Sequence, residues 1–150
     1  MNIDFTDKGF RFCTIPSGLV EVLWPQIIVH LEKTIGLGCG DISEESIKTK
    51  ATQGLTTLFI VTKGEDIVAV STIEIATYES GLRALLIPIV GGSGIHDWGE
   101  TWIKIIQALA KDLGCSELRG FAARDGWMRL LKTRGWKENH TVITLQLEQV

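Results

Sequence analysis

One run governs what this chain can become. Ile67 to Tyr78 reads IVAVSTIEIATY, rich in β-branched residues and apolar on both faces for much of its length. A strand apolar on both faces has to be covered on both, so the run predicts a central strand between two helical layers. The flanking segments agree. Thr56 to Thr62 (TTLFIVT) is a second β-rich run, joined to the first by the turn Lys63-Gly64-Glu65-Asp66. After Glu79-Ser80-Gly81, Leu82 to Val90 (LRALLIPIV) forms a third, stopped by Gly91-Gly92-Ser93-Gly94.

Helical spacing supplies the covering layers. Phe10 to Ile15 is a short strand ahead of Pro16, and Leu19, Val22 and Leu23 can make a first turn. Pro25 then stands where a helix would start, since proline is tolerated in a first turn and breaks an interior. Ile27, Ile28, Leu31 and Ile35 give its buried face, and the glycines from Gly36 to Gly40 stop it. Ser43 is placed to cap the next helix, with Ile42 and Ile47 at the spacing of a hydrophobic staple and Gly54 beyond its end. The strongest helix runs from Asp97 to Leu113, with Trp102, Ile105, Ile106, Leu109 and Leu113 on one face and Gly114 as its stop. A strand from Glu117 to Ala122, a short helix through Trp127, Leu130 and Leu131, and an alternating strand from Thr141 to Leu147 complete the chain. This order, β-α-α-β-β-β-α-β-α-β over a single domain of residues 1–150, predicts an α+β (mixed α/β) fold. The helix between Val90 and Glu117 predicts a parallel crossover.

Composition narrows the function classes. The chain has 150 residues, 45% hydrophobic and 22% charged, which excludes the disordered class. Fifteen Lys and Arg stand against eighteen Asp and Glu, a net charge of −3, so no basic stripe for nucleic acid is expected. No apolar run reaches the ~20 residues of a membrane span. The N-terminal MNIDFTDKGFRF has no apolar leader core, so a cytoplasmic location is expected. Cys13, Cys39 and Cys115 are odd in number and contain no CxxC pair. They read as small apolar residues in a reducing compartment, not as a disulfide framework or metal knuckle.

The element order, the helix GETWIKIIQALAKDLGC and the later GWMRLLKTRGW together resemble the GNAT superfamily, acyltransferases related to general control N-acetyltransferases. Trp24-Pro25, Gly54 with Leu58-Phe59-Ile60-Val61, Tyr78, Gly91-Gly92, and Gly126-Trp127 with Gly135-Trp136 are similar to a divergent group encoded by bacteriophages. The resemblance implies a three-layer α/β/α fold around a mixed, mostly antiparallel sheet splayed into a V. It implies acetyl-CoA as cofactor and an amine as acceptor, in a host cytoplasm or associated with a virion. In that family a glycine loop opens the main helix and binds the cofactor diphosphate through backbone N–H groups. A tyrosine of the last helix protonates the leaving thiolate, and a carboxylate or water serves as base.

Transferred residue by residue, the loop candidates are Val90, Gly91, Gly92, Ser93 and Gly94. One register runs from Gly91 to His96 and a second from Gly94 to Gly99; each loses two of the family's three anchors. Leu131 occupies the tyrosine position and has no proton to give. Catalytic candidates are therefore Glu74 as a base, Tyr78 lining the acceptor cleft, and His96 as acid or base. Arg119, Arg124, Arg129, Lys132 and Arg134 form either a phosphate grip or a solvated face, and any exposed member of the five Trp would mark a protein interface. His30, His96 and His140 do not make a metal set. The loop losses leave a second reading open, an inactive scaffold that binds a phage or host protein.

Overall fold

Strand β4 (Asp66–Thr77) is the spine that its sequence predicts. The computed structural model describes residues 1–38, 40–121 and 125–148. Beside β4 lie β3 (Thr57–Lys63) and, further out, β2 (Phe10–Ile15) and β1 (Asp4–Asp7), all antiparallel. On its other side β4 pairs with β5 (Arg83–Ile87), and β5 pairs in parallel with β7 (Glu117–Gly120). A short β6 (Val90–Gly92) also pairs with β4. Lys63 faces Asp66 across a two-residue turn, where Gly64 takes φ +62°.

Helices α1 (Val20–Leu37) and α2 (Glu44–Thr52) cover one face of this sheet. The other face carries α3 (Ile95–Asp112) and α4 (Asp125–Thr133). Period-two alternation divides the strand side chains between two cores. Leu58, Ile60 and Val70 join Trp24, Ile27 and Leu31 under α1 and α2. Phe59, Val61, Ala69, Ile73 and Leu85 join Trp102, Ile103 and Ile106 under α3. The Ser43 side chain accepts from the Ser46 amide at 3.0 Å and the Ser46 hydroxyl accepts from the Ser43 amide, a reciprocal cap for α2.

Five expectations are corrected. Pro25 lies inside α1, which begins at Val20 after a 3-10 turn at Ser17–Leu19. It is tolerated because Pro25 and Glu21, whose carbonyl loses its helical donor, are both exposed to water. β1 forms although no alternation announces it; a bidentate Arg11–Asp4 pair at 2.8 Å and the Ile3–Thr14 backbone bond hold it to β2. The run Leu82–Val90 breaks at Pro88, which has no N–H for the ladder, into β5 and β6. On α3, Ile103 and Ala110 are buried, whereas Ile105, Leu109 and Leu113 are half-buried at the margin. The segment from Thr141 to Leu147 forms no strand and is exposed throughout.

The break at Pro88 shapes the sheet. Glu74 faces Leu86, but Ser71 faces Val90, so one extra residue is inserted opposite β4. Pairing of β5 with β7 extends to Ile87 and Gly120, beyond which β6 continues along β4 alone. Past the bulge β6 therefore has no β7 strand beside it among the described residues, and this gap stands where the splay is expected. The predicted end of the β7 run at Ala122 lies outside the described residues, as do Cys39 and Arg124.

Trp102 anchors the α3 core. It is 1% exposed, and its ring meets Trp127 of α4 edge-on at 5.1 Å. Trp102→Ala should lower unfolding free energy by about 3–5 kcal/mol. Denaturant titration reads this directly, and an unchanged midpoint would mean that the cavity costs nothing.

Candidate active site

The α1/α2 face of the sheet gathers the polar side chains that the sequence leaves scattered. Because Val70, Thr72, Glu74, Ala76 and Tyr78 alternate along one strand, Glu74 and Tyr78 share a face. In register, Glu74 faces Leu86 and Leu86 faces Arg119, so one row crosses three strands. Glu74 and Arg119 are therefore about 10 Å apart at the backbone, two inter-strand spacings.

Each charge in this row has a partner. Lys50 of α2 donates to both Glu74 carboxylate oxygens, at 2.8 and 3.1 Å, and the Glu74 side chain is 18% exposed. Arg119 pairs with Glu117 on the same strand and stacks its guanidinium over the Tyr78 ring, 4.5 Å from the centroid. The hydrogen bond with Glu117 holds the Arg119 guanidinium above its ordinary range. A half-buried carboxylate, an ammonium, a guanidinium and a phenol ring thus line the sheet beside the splay. Lys50 and Glu117 do not figure among the sequence candidates, and Arg119 figures there only in a basic cluster, not beside Glu74 and Tyr78. Lys50 lies 24 residues from Glu74, and only the packing of α2 on β4 brings them together. For Arg119 the even spacing of the β7 run was the available signal.

His96 is not part of this row. It is exposed in the first turn of α3, on the opposite face of the sheet from α2. His30 is half-buried on α1, where burial pushes its imidazole pKa down. His140 is exposed on the C-terminal segment, and among the described residues no three His, Cys, Asp or Glu side chains gather as a metal set. Leu131 is buried in the α3/α4 core, away from the Glu74 face. Of the basic cluster, Arg119, Lys132 and Arg134 each pair with a carboxylate, the last two with Glu138 and Glu100. All five Trp are buried or half-buried, so none marks an exposed interface. Cys13 and Cys115 are half-buried free thiols, and burial pushes the Cys13 thiol up.

The glycine loop is tied into the fold at nearly every residue. The Thr34 hydroxyl of α1 donates to the Val90 carbonyl at 3.3 Å. A Cβ on Gly91 would lie 2.0 Å from the His30 carbonyl oxygen, and one on Gly92 2.4 Å from that of Val68. The Ser93 amide donates to the Val68 carbonyl at 3.0 Å, while the Ser93 carbonyl accepts from the Trp98 indole at 2.8 Å. Gly94 turns the chain into α3 at φ +76°, and Asp97 places a carboxylate in the first helical turn.

No protein-family profile and no curated protein matches the sequence. Solved structures do match in fold. An aminoglycoside acetyltransferase from an uncultured soil metagenomic sample, crystallised with trehalose, superposes at a TM-score of 0.69 with 13% identity, over 96% of this chain and 99% of that one. A GCN5-related N-acetyltransferase from Ralstonia eutropha JMP134 gives 0.67 with 11% identity, over 92% and 99%. A predicted acetyltransferase from Clostridium acetobutylicum, solved with acetyl-CoA, gives 0.66 with 12% identity, over 91% and 96%. The chain has the GNAT fold. At these identities the likeness is one of architecture.

Gly91 is set by contact with α1, so its replacement tests packing. Gly91→Ala should destabilise the protein by about 1–3 kcal/mol, because the obstructing atom is backbone and cannot swing aside. Thermal unfolding of the variant measures this. An unaltered transition would free Gly91 for a ligand-facing role.

Proposed function

We propose that this chain is an acetyltransferase-like protein that transfers an acetyl group to a primary amine, with Glu74 as base. The observation that carries the reading is the Glu74–Leu86–Arg119 row beside the splay of a GNAT-fold sheet. The resemblance of Trp24-Pro25, Gly91-Gly92 and Gly135-Trp136 supports a bacteriophage-encoded origin and action in a host cytoplasm. Among the described residues no helix is long and apolar enough to cross a membrane.

Fit to acetyl-CoA is divided between the two ends of that molecule. Among the described residues β6 has a strand partner on one edge only, and its other edge suits the extended amide chain of a pantetheine arm. The diphosphate end fits poorly. The Ser93 amide is already bonded, and Asp97 would repel phosphate at the helix start. When bound, acetyl-CoA supplies an acyl carbon activated as a thioester. The chain's own part is to orient an amine and remove its proton. Glu74 takes that proton, directly or through one water, and Lys50 holds the carboxylate in place. Tyr78 and Arg119 form the wall against which an acceptor rests. Leu131 stands where the resemblance places a tyrosine, so this position would offer no proton to a leaving thiolate.

Calorimetry with acetyl-CoA and with acetyl-pantetheine tests this division. A phosphate cradle contributes charge-assisted bonds of ~1.5–3 kcal/mol each, and loss of two weakens binding about 100- to 10,000-fold. Both ligands should bind near millimolar and within about tenfold of one another. An acetyl-CoA dissociation constant below about 10 μM, with the truncated ligand far weaker, would show an intact phosphate site.

A second reading, an inactive scaffold binding a phage or host protein, is favoured by the same Ser93 and Asp97 observations. It predicts no heat with either ligand. If transfer is measured, Glu74→Gln should reduce turnover by about 100-fold or more with little change in melting temperature. Retained turnover would remove Glu74 from the chemistry.

A further inference from the structure

Glu74, the proposed base, already holds a primary amine. Lys50 Nζ donates to its two carboxylate oxygens at 2.8 and 3.1 Å. Other lysines pair differently. Lys48 meets Glu21 at 3.4 Å and Lys132 meets Glu138 at 3.0 Å, but those carboxylate side chains are 71% and 63% exposed. Glu74 is 18% exposed, whereas the Lys50 side chain is 45% exposed. The amine is therefore open to an incoming molecule while its carboxylate is set into the sheet. The row of Glu74, Leu86 and Arg119 lies one residue short of the last β5–β7 pair, Ile87 with Gly120. The Lys50–Glu74 pair thus stands at the edge of the gap beside β6.

The backbone keeps the amine there. The Leu55 and Thr56 amides both donate to the Lys50 carbonyl, at 2.9 and 3.4 Å. The Thr56 hydroxyl donates to the carbonyl of Ile73, the residue before Glu74, at 3.4 Å. The end of α2 is thus tied to the strand that carries the carboxylate. A nucleophile fixed beside its base reacts at a high effective concentration once an acyl carbon comes within reach.

We propose that Lys50 is a self-acetylation site: where no external amine competes, its own amine takes the acetyl group from a thioester donor. The proposal rests on the reading of Glu74 as base and adds the chain itself as an acceptor. The Lys50 ammonium passes one proton to Glu74, and from there to water. The freed nitrogen lone pair attacks the thioester carbon, so that a C–N bond forms and the C–S bond breaks. The departing thiolate takes the second proton from nitrogen. The amide product is uncharged and no longer basic, so each chain reacts once at this position and loses the ion pair with Glu74.

Incubation of the full chain with acetyl-CoA, or with the small thioester S-acetyl-N-acetylcysteamine, tests the proposal by intact mass and peptide mapping. Lys50 should be acetylated about tenfold or more faster than Lys48 and Lys132, whose carboxylates lie away from this site. Glu74→Gln gives the decisive sign. A carboxylate that merely pairs with an ammonium protects it, so its loss would speed acetylation of Lys50. A base does the opposite, and the variant should slow Lys50 to the rate of Lys48 with an unchanged near-ultraviolet tryptophan signal. Equal rates at Lys48, Lys50 and Lys132, including none at all, would overturn the proposal, as would faster acetylation of Lys50 in the variant. Added benzylamine separates self-acetylation from transfer to an external amine. If benzylamine is acetylated while Lys50 stays unmodified even without it, self-acetylation fails and transfer stands. Acetylated Lys50 beside untouched benzylamine supports self-acetylation and counts against transfer to free amines.

Discussion

Burial of β4 on both faces is the constraint on which the other elements depend. Its alternate residues feed two separate cores, Val70 under α1 and α2, Ala69 and Ile73 under α3. A slip of one residue would exchange these sets and drive Glu74 into the apolar α3 core. The register is held by β3 on one side, through pairs from Thr57–Ile73 to Lys63–Asp66, and by β5 and β6 on the other. Pro88 then does for the second side what no apolar residue could. Lacking an N–H, it forces the extra residue opposite β4, and the bulge directs β6 along β4 while β7 stops at Gly120. The gap beside β6, where the splay is expected, begins at this bulge.

How much of this is legible in the sequence differs by element, and the reasons are physical. The two-faced run Ile67–Tyr78, the α3 face through Trp102 and Ile106, and the Ser43 cap are local signals. Each is written within a few residues and survives in the structure. β1 escapes because DFTD has no apolar alternation; it is held by backbone pairing to β2 across the Lys8-Gly9 turn, to which the exposed Arg11–Asp4 pair adds. Pro25 misleads because its cost depends on whether its surroundings are wet, which periodicity does not report. Pro88 is the opposite case. The proline is plain in LRALLIPIV, but the length of the apolar run outweighs it unless the missing ladder bond is weighed explicitly.

At the candidate site the carboxylate and the ring are legible, and their partners are not. Even spacing along β4 places Glu74 and Tyr78 on one face. It says nothing of which helix residue descends on them, because Lys50 arrives from a separate packing decision 24 residues away. The Arg119–Tyr78 stack likewise needs the parallel crossover through α3 to bring β7 beside β5. His96 is a candidate only while the helix start is imagined to face the cleft. With α3 on the opposite side of the sheet, it falls away from the row.

Glycine itself is ambiguous in a loop of this kind, and the ambiguity bears on function. A phosphate cradle and a tight helix-sheet contact both select residues without a Cβ, because both need backbone atoms to approach closely. What separates them is the direction of the missing Cβ and the fate of the N–H groups. For Gly91 and Gly92 the Cβ would meet protein backbone, at His30 and Val68. The Ser93 N–H points back to Val68 and not outward. Gly94 differs: its Cβ would meet nothing closer than the Trp98 indole nitrogen at 3.6 Å, and its left-handed φ serves the turn into α3. The loop's small residues are therefore accounted for by packing and turn geometry. Any anion at this helix start depends on the amides of the first α3 turn, in competition with the Asp97 carboxylate beside them.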